Sequence, residues 1–233
     1  MARLNLRDFK IPIGRIAPQT EFCTQDGTFL SCREYPAATS QKVVILYHGV
    51  GGDSRYMCVL ASEIARADIA TVVTPDLRGH GLSLNVSDEI AEGQLLQDLD
   101  DCLTHLRLQR KPSEIVLSGH SLGGGLVLKA SVSYLASQFS RFVVMAPRLP
   151  AGLEAVTSNR GGWTTLTPEG GLVVNMAPEF ISGQERLRYS AAFIRAATPS
   201  ENVLETCPRE KVFAVTGADD EVVDPLRQQE LFD

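Results

Sequence analysis

The segment Gly119-His120-Ser121-Leu122-Gly123 places a serine between two glycines, directly after one apolar run and before another. A serine hydroxyl is a poor nucleophile until a neighbouring base, usually a histidine, takes its proton. The G-x-S-x-G spacing is typical of a sharp strand-to-helix turn that exposes the serine, and larger residues at the glycines would collide with the adjoining strand and helix. The alternative is a glycine-rich helix start in which Ser121 has no chemical role.

A second glycine-rich turn, HGVGG, begins at His48 and includes Gly49 and Val50. It follows the β-branched run KVVILY. Backbone N–H groups at the end of a strand can stabilise the oxyanion that forms when a nucleophile attacks a carbonyl group. An ordinary strand-to-helix turn explains the same residues, but the presence of the G-x-S-x-G segment favours the oxyanion role.

The acidic segment TGADDE (216–221) follows the last apolar run of the chain. A carboxylate there, downstream of the serine, is placed to orient an imidazole base. Asp224 precedes Pro225 and is predicted to cap the helix that starts there. This leaves Asp219 and Asp220 for the orienting role, unless the whole segment is simply an acidic loop that caps the helix.

A third motif, DLRGHGLS (76–83), also ends an apolar run. We interpret it as a rigid, hydrogen-bonded loop beside the site. Asp76 and Arg78 are expected to form an ion pair, and His80 is expected to pack within the loop.

The elements that must position these motifs alternate along the chain. Strands are predicted from β-branched apolar runs, and helices from apolar residues at helical spacing. Residues 20–35 alternate around a Gln-Asp-Gly-Thr turn, which predicts a hairpin. This order is typical of an α/β fold with a mostly parallel sheet covered by helices on both faces. The predicted strands are 42–49, 70–76, 114–119, 141–146 and 211–217, and the helices are 54–67, 88–108 and 122–138.

The alternation stops between Pro147 and Pro208. There, residues 163–174 are predicted to form a small hairpin and residues 183–197 an amphipathic helix. An insertion of about 60 residues with its own elements is typical of a cap or lid, and it follows a strand end, where open α/β sheets bind ligands. The predicted organisation is a first core part at 1–147, a cap at 148–207 and a second core part at 208–233.

Composition limits the partners. The 233 residues carry a net charge of −6, which argues against nucleic acid or an anionic membrane as a partner. Five scattered cysteines without C-x-x-C spacing predict free thiols in a reducing compartment, although a Cys23–Cys32 bridge across the hairpin stays open. The N-terminus lacks the apolar core of a signal peptide, and no apolar run reaches the length of a membrane span, so we expect a cytoplasmic protein.

The four segments YHGVGG, DLRGHGLS, GHSLGG and VTGADDEVV resemble, in order and in position at strand ends, those of α/β-hydrolase-fold serine hydrolases. The sequence is most similar to the monoacylglycerol lipase and lysophospholipase-like branch. The resemblance covers residues 20–147 and 208–225. It implies hydrolysis of an ester or related acyl bond through an acyl-enzyme, with a small-molecule substrate and without a cofactor or metal. Related dehalogenases and epoxide hydrolases carry aspartate where Ser121 stands.

The resemblance also implies roles for individual residues. Ser121 matches the nucleophile, and Asp220 matches the acid that orients the base better than Asp219 does. The backbone N–H groups of Val50 and Leu122 match the oxyanion hole. Five further residues would support these two turns, namely His48, Gly49, Gly119, His120 and Gly123.

The base is the departure from the family pattern. Family order places a histidine after the acid, but none follows Asp220, and the four histidines of the chain are His48, His80, His105 and His120. We expect that the chain is cut short and that the base, with a last strand and helix, lies beyond residue 233. The alternative is a natural form that has lost catalysis and keeps its pocket.

Three functions therefore stay open. The first is hydrolysis of a carboxylic ester, either an acyl-lipid or a small ester. The second is non-catalytic binding of a ligand or partner under the cap. The third keeps the mechanism and changes the acyl bond to a thioester or an amide.

Overall fold

A computed structural model describes residues 12–83, 90–150, 164–174, 187–218, 220 and 225–232. The predicted cap of a helix by Asp224 and the predicted role of Asp219 lie outside the described residues. The strands are β1 Gln19–Cys23, β2 Phe29–Tyr35, β3 Lys42–Tyr47, β4 Thr71–Pro75, β5 Glu114–His120, β6 Arg141–Met145, β7 Thr164–Leu166, β8 Leu172–Val174, β9 Leu187–Tyr189 and β10 Val212–Val215. The α-helices are α1 Cys58–Arg66, α2 Gln94–Gln109, α3 Leu122–Ser131, α4 Ala191–Ala197, α5 Glu201–Thr206 and α6 Pro225–Phe232.

The main sheet has seven strands in the order β1-β2-β4-β3-β5-β6-β10. The five strands from β4 to β10 in this order are parallel to one another. β1 and β2 form the hairpin predicted at 20–35, with Gly27 at a φ of 80° in its turn, and β2 pairs antiparallel with β4. The prediction of a mostly parallel sheet is therefore confirmed.

Side chains of β3 alternate between the two faces of the sheet. Val43 and Ile45 pack in one cluster with residues of α2 and α3, including Leu99 and Leu126. Leu46, on the other face, packs with residues of α1 such as Ala61. Helices therefore cover both faces, as the continuous apolar character of the strand predicts.

The predicted helices exist, but each has one boundary that differs. α1 starts at Cys58 rather than at residue 54. The helix predicted at 122–138 ends at Ser131, where the hydroxyls of Ser131 and Ser133 donate to the carbonyls of Leu128 and Ala130, at 2.7 and 2.9 Å. Such side-chain bonds compete with the helical ladder. α2 starts at Gln94 rather than near residue 88, after a glycine in the left-handed region. In the described part of the chain, no helix is long and apolar enough to span a bilayer.

The prediction for the insertion is partly wrong. The hairpin is present as β7 and β8, joined through Gly170 at a φ of 85°. The helix predicted from residue 183 is shorter, because residues 187–189 form β9 and pair antiparallel with β8. α4 begins after Ser190, whose side chain accepts a hydrogen bond from the Phe193 N–H and so marks the start of the helix.

All five cysteines are free thiols, as predicted. In the β1–β2 hairpin, Cys23 lies opposite Phe29 and Cys32 lies opposite Thr20. The register therefore rules out the bridge between Cys23 and Cys32 that the sequence left open.

β10 forms one edge of the main sheet in the described part of the chain. Its Phe213 and Val215 side chains are 52% and 57% exposed. The strand thus combines an apolar sequence with little cover from the described residues, apart from α6, which contacts it.

Candidate active site

Ser121 lies at the sharp turn between β5 and α3. Its backbone has φ 50° and ψ −113°, a conformation that costs a non-glycine residue about 1–3 kcal/mol. Hydrogen bonds hold the turn: the Ser121 N–H donates to the Met145 carbonyl at 3.0 Å, and the Ser121 carbonyl accepts from the Arg148 N–H at 2.8 Å. The side chain is partly exposed, so the strained backbone presents a hydroxyl that a small molecule can reach.

The glycines on both sides of Ser121 are required by close backbone packing. A Cβ on Gly119 would lie 2.4 Å from the backbone carbonyl carbon of Gly123. A Cβ on Gly123 would lie 2.6 Å from the carbonyl oxygen of His48. Because both obstacles are backbone atoms, a larger residue at Gly119 would push β5 away from α3, and one at Gly123 would push α3 away from the end of β3.

The turn after β3 lies directly beside the serine. A Cβ on Gly49 would lie 3.1 Å from the Ser121 Cβ and 3.0 Å from the His120 Nδ1. The Gly49 carbonyl accepts hydrogen bonds from the His48 Nδ1–H at 2.8 Å and from the Gly52 N–H at 3.1 Å. These bonds fix the peptide group between Gly49 and Val50.

Leu122 supplies the second N–H group of the predicted oxyanion hole. It is the first residue of α3 and is buried. The first four N–H groups of a helix lack intrahelical acceptors and carry a partial positive charge. The structure therefore brings together, next to Ser121, the helix N-terminus at Leu122 and the peptide group of Val50, which the sequence separates by about 70 positions.

Asp220 follows β10 in a turn in which its N–H donates to the Gly217 carbonyl at 3.1 Å. The Thr216 hydroxyl donates to its carboxylate at 3.4 Å. The carboxylate acts electrostatically on His120 and raises its pKa, against the larger effect of burial. Asp220 is thus placed at the same edge of the sheet as Ser121, since both follow the carboxyl ends of parallel strands.

The two buried histidines near the site already have defined bonding roles. His48 Nε2 accepts from the Leu77 N–H at 3.0 Å, so its proton is on Nδ1, where it donates to Gly49. His80 Nδ1–H donates to the Arg78 carbonyl at 3.1 Å. Neither nitrogen of His48 is therefore available to receive the proton of Ser121, whereas His80 is bonded through its Nδ1–H alone.

The other two histidines differ in their surroundings. His105 lies on α2, with its Nε2 2.9 Å from Gln109 and its ring against Phe22, so it belongs to that helix and its packing. His120 adjoins Ser121, and its ring centroid lies 5.6 Å from that of Tyr56. Its Nδ1 is buried without a hydrogen-bond partner among the described residues. Burial lowers the pKa of His120, and His48 contributes in the same direction.

The predicted ion pair between Asp76 and Arg78 is wrong. Asp76 is buried and accepts hydrogen bonds from the N–H groups of Ser54 and Leu82, at 2.6 and 3.0 Å. Arg78 instead makes a two-point contact with Asp98, at 2.9 and 2.7 Å. The side chains of Asp76 and Arg78, only two positions apart in the loop, point in different directions. The Asp98 carboxylate of α2 lies within hydrogen-bond distance of the Arg78 guanidinium.

Sequence reasoning missed two contributors to this region. Asp98 lies between Leu95 and Leu99 on the buried side of α2. A carboxylate in an apolar stripe is a signal from which a buried ion pair could have been predicted. Tyr189 stacks on His80 at 4.5 Å between ring centroids. Its strand was predicted as helix, so nothing in the pattern marked this contact.

A surface cleft of about 520 Å³ lies at the opposite end of the sheet. Its lining includes Arg107, Lys111 and Glu114. Because Glu114 begins β5 and Ser121 follows its end, roughly 20 Å of strand separates the two places. The cleft therefore does not belong to the candidate active site. Among the described residues, no group of three or more His, Cys, Asp or Glu side chains is arranged to hold a metal ion.

The family model for serine aminopeptidase S33 matches residues 38–163, more than half of the chain. The matched segment contains both the Gly49 turn and the Ser121 turn. The chain belongs to the serine aminopeptidase S33 family. An S33 sequence of this kind is expected to have the α/β-hydrolase fold, which the seven-stranded sheet shows.

Known proteins are similar to this chain in part of their sequence or in their fold. An uncharacterized protein of Mycobacterium tuberculosis is 29% identical over 124 residues, which are 53% of this chain and 34% of that relative. The matched part thus spans about a third of the length of the curated relative. Monoglyceride lipase of Saccharomyces cerevisiae has a similar structure, with a TM-score of 0.69 and 14% identity over 96% of this chain and 83% of that chain. A thermophilic esterase from Thermogutta terrifontis has a TM-score of 0.60 and 18% identity over 92% of this chain and 85% of that chain.

Proposed function

We propose that this S33 family member is a serine hydrolase that cleaves a carboxylic ester through an acyl-enzyme on Ser121. The Ser121 Oγ attacks the acyl carbonyl carbon while a base takes its proton. The alcohol then leaves with that proton, and water attacks the acyl-enzyme to release the acid and restore the serine. The negative oxygen of each tetrahedral intermediate is held by the N–H groups of Val50 and Leu122.

The strained backbone of Ser121 is the observation that carries the proposal. A φ of 50° at a serine, between two glycines at which a Cβ would meet backbone atoms, is typical of a nucleophile elbow and supports the proposal. Backbone strain of this kind persists only where surrounding contacts maintain it, and it concentrates at functional sites. The position of Gly49 beside the Ser121 Cβ supports the oxyanion role of the neighbouring Val50 N–H.

Asp220 is the proposed acid of the site, and the base is proposed to be a histidine outside the 233 residues. The hydrogen bonds of His48 and His105 support this assignment, because they engage these two rings elsewhere. The ring of His80 packs against Tyr189 and Phe193. His120 directly precedes Ser121, and neighbouring side chains on a tight turn diverge. Its imidazole is therefore not expected to reach the Ser121 hydroxyl. The test of the base therefore includes the variant His120→Gln.

The proposed substrate is an acyl-lipid or a small ester. The structural similarity to a monoglyceride lipase and to an esterase favours oxygen esters as the first compounds to assay. The name of the family, serine aminopeptidase, makes amides the natural comparison. Matched oxygen esters, thioesters and anilides with one acyl chain would separate these acyl bonds by their kcat/KM values.

A fluorophosphonate probe tests the nucleophile in the full-length gene product. Ser121 Oγ should displace fluoride from phosphorus, and intact-mass spectrometry should show one label per chain. Ser121→Ala should prevent labelling and lower kcat by roughly 10⁶-fold. Ser137→Ala, at an exposed serine in the same chain, is the matched control and should behave as the wild type.

Two results would contradict the proposal. Labelling that persists in Ser121→Ala would place the nucleophile elsewhere. Absence of both labelling and turnover in the full-length protein, together with apolar ligand binding that Ser121→Ala leaves unchanged, would instead support a non-catalytic binding protein. Loss of activity in His120→Gln with retained folding would move the base to His120.

A further inference from the structure

Four buried rings form a continuous column between the insertion and the Gly49 turn. His80 stacks on Tyr189 of β9, with centroids 4.5 Å apart and planes inclined by 14°. The ring centroids of Phe193 of α4 and of His48 lie 5.3 and 5.0 Å from that of His80. All four side chains are at most 4% exposed. We call them the ring column.

His80 is the central member of the ring column and is held in a neutral form. Its Nδ1–H donates to the Arg78 carbonyl, whereas its Nε2 is buried and has no hydrogen-bond partner among the described residues. A second proton would therefore be placed on an unsolvated nitrogen. Burial lowers the pKa of His80 well below its usual value, and His48 lowers it further.

The ring column connects two parts of the molecule, in addition to the packing of α4 on α3 and α2. On one side, Tyr189 and Phe193 belong to the segment formed by β9 and α4, residues 187–197. On the other side, His48 hydrogen-bonds the Gly49 carbonyl and so fixes the peptide group beside Ser121. His80 contacts both parts.

We propose that His80 is a positioning residue whose neutral ring docks the β9–α4 segment against the His48–Gly49 turn, and that protonation of His80 in acid releases this segment. The proposal goes beyond ester hydrolysis, and docking can be measured in a protein that has no catalytic activity.

The groups that face His80 offer little compensation for a positive charge. From the end of β3 the facing group is the His48 imidazole, from β9 the Tyr189 ring, and from α4 the apolar Phe193. In its own loop, Arg78 directs its guanidinium to Asp98. The Asp76 carboxylate lies near Gly81 and is occupied by two backbone N–H groups.

The direction of the pH effect follows from proton linkage. Docked His80 is neutral, whereas undocked His80 binds a proton with an ordinary pKa of about 6.5. Docking is therefore at full strength above that value and weakens as the pH falls below it. Between pH 7 and pH 5, one proton that binds only the undocked state lowers the docking equilibrium constant by about 25-fold.

Hydrogen exchange measured by mass spectrometry tests the release. After correction for the intrinsic pH dependence of exchange, protection of residues 187–197 should fall about 25-fold between pH 7 and pH 5, while protection of β3 and β5 stays constant. Unchanged protection of the segment in the wild-type protein would overturn the proposal, as would an equal loss of protection in β3 and β5.

Two variants separate the stack from the hydrogen bond. His80→Phe keeps the ring and cannot be protonated, so protection of the segment should be the same at pH 7 and pH 5. His80→Asn keeps an N–H donor for the Arg78 carbonyl and loses the ring, so protection should be low at both values. Retained pH sensitivity in His80→Phe would refute the assignment to His80.

An NMR titration of the four histidines gives a check that does not depend on a variant that folds. The Hε1 signal of His80 should titrate well below pH 6.5, because the docked state keeps the ring neutral. A signal that titrates near pH 6.5 while the segment stays protected would also refute the proposal.

Discussion

Replacing Asp98 by alanine tests the buried ion pair that the structure shows in place of the expected Asp76–Arg78 pair. The side chains of Arg78 and Asp98 are 5% and 6% exposed. Asp98 accepts two hydrogen bonds from the guanidinium and a third from the Gln94 side chain, at 3.0 Å. Removing one partner of a buried pair leaves an uncompensated charge and costs about 3–5 kcal/mol.

Asp26 reduces this cost in the Asp98→Ala variant. Its carboxylate lies 3.0 Å from Arg78 Nη2, but its side chain is 41% exposed, so water screens the interaction. We therefore expect the lower end of the range, about 3 kcal/mol, for Asp98→Ala. The change Asp26→Ala removes this exposed pair together with hydrogen bonds from the Thr24 hydroxyl and the Thr28 N–H, and should cost about 1–2 kcal/mol.

Urea unfolding followed by far-ultraviolet circular dichroism measures both values at pH 7. The double variant Arg78→Met with Asp98→Leu removes both charges and should recover most of the loss, because apolar residues of similar volume can replace a buried pair. The reasoning would be refuted if Asp98→Ala lost less stability than Asp26→Ala. It would equally be refuted if the double variant were no more stable than Asp98→Ala.

Two further predictions follow from the backbone and from a surface carboxylate. Gly119→Ala should lower the free energy of unfolding by about 1–3 kcal/mol or more in urea titrations, because its Cβ would meet the Gly123 backbone at 2.4 Å. Gly14→Ala is the control, because its Cβ would meet nothing within 4 Å. Equal losses of stability in the two variants would contradict the packing argument. The Thr39 hydroxyl, with the backbone N–H groups of Thr39 and Ser40, lowers the pKa of Asp68 from 3.8 to about 2. This lowered pKa stabilises the fold above pH 3.8, and the stabilisation is lost as the pH falls towards 2. Asp68→Asn should therefore show a flatter decline in stability between pH 5 and 2, and an unchanged decline would disprove this contribution.

Much of the core was predictable because its signals are local. Strands β3, β5 and β6 are β-branched runs buried on both faces, and such runs have few other places in a globular protein. The hairpin at 20–35 was predictable from Asp26 and Gly27, since a turn of this kind requires a residue that tolerates positive φ.

The insertion was less predictable because its elements are short and are stabilised by one another. Residues 187–189 show helical spacing in the sequence, but they form β9 because β8 offers an unpaired edge beside them. The choice between helix and strand thus depended on pairing with β8, which lies about 15 positions earlier in the chain. Local propensity does not contain information about such a partner strand.

The sequence by itself determined the fold class and the identity of the residues in the two glycine-rich turns. These features depend on residue type and on nearest neighbours, such as a serine between glycines at a strand end. The tertiary structure alone decided that Arg78 pairs with Asp98, that Gly49 lies beside Ser121, and that His80 is enclosed between His48 and Tyr189. Each of these contacts joins separate elements, and their distances are set by how helices and strands pack on the sheet, which residue spacing along the chain does not specify.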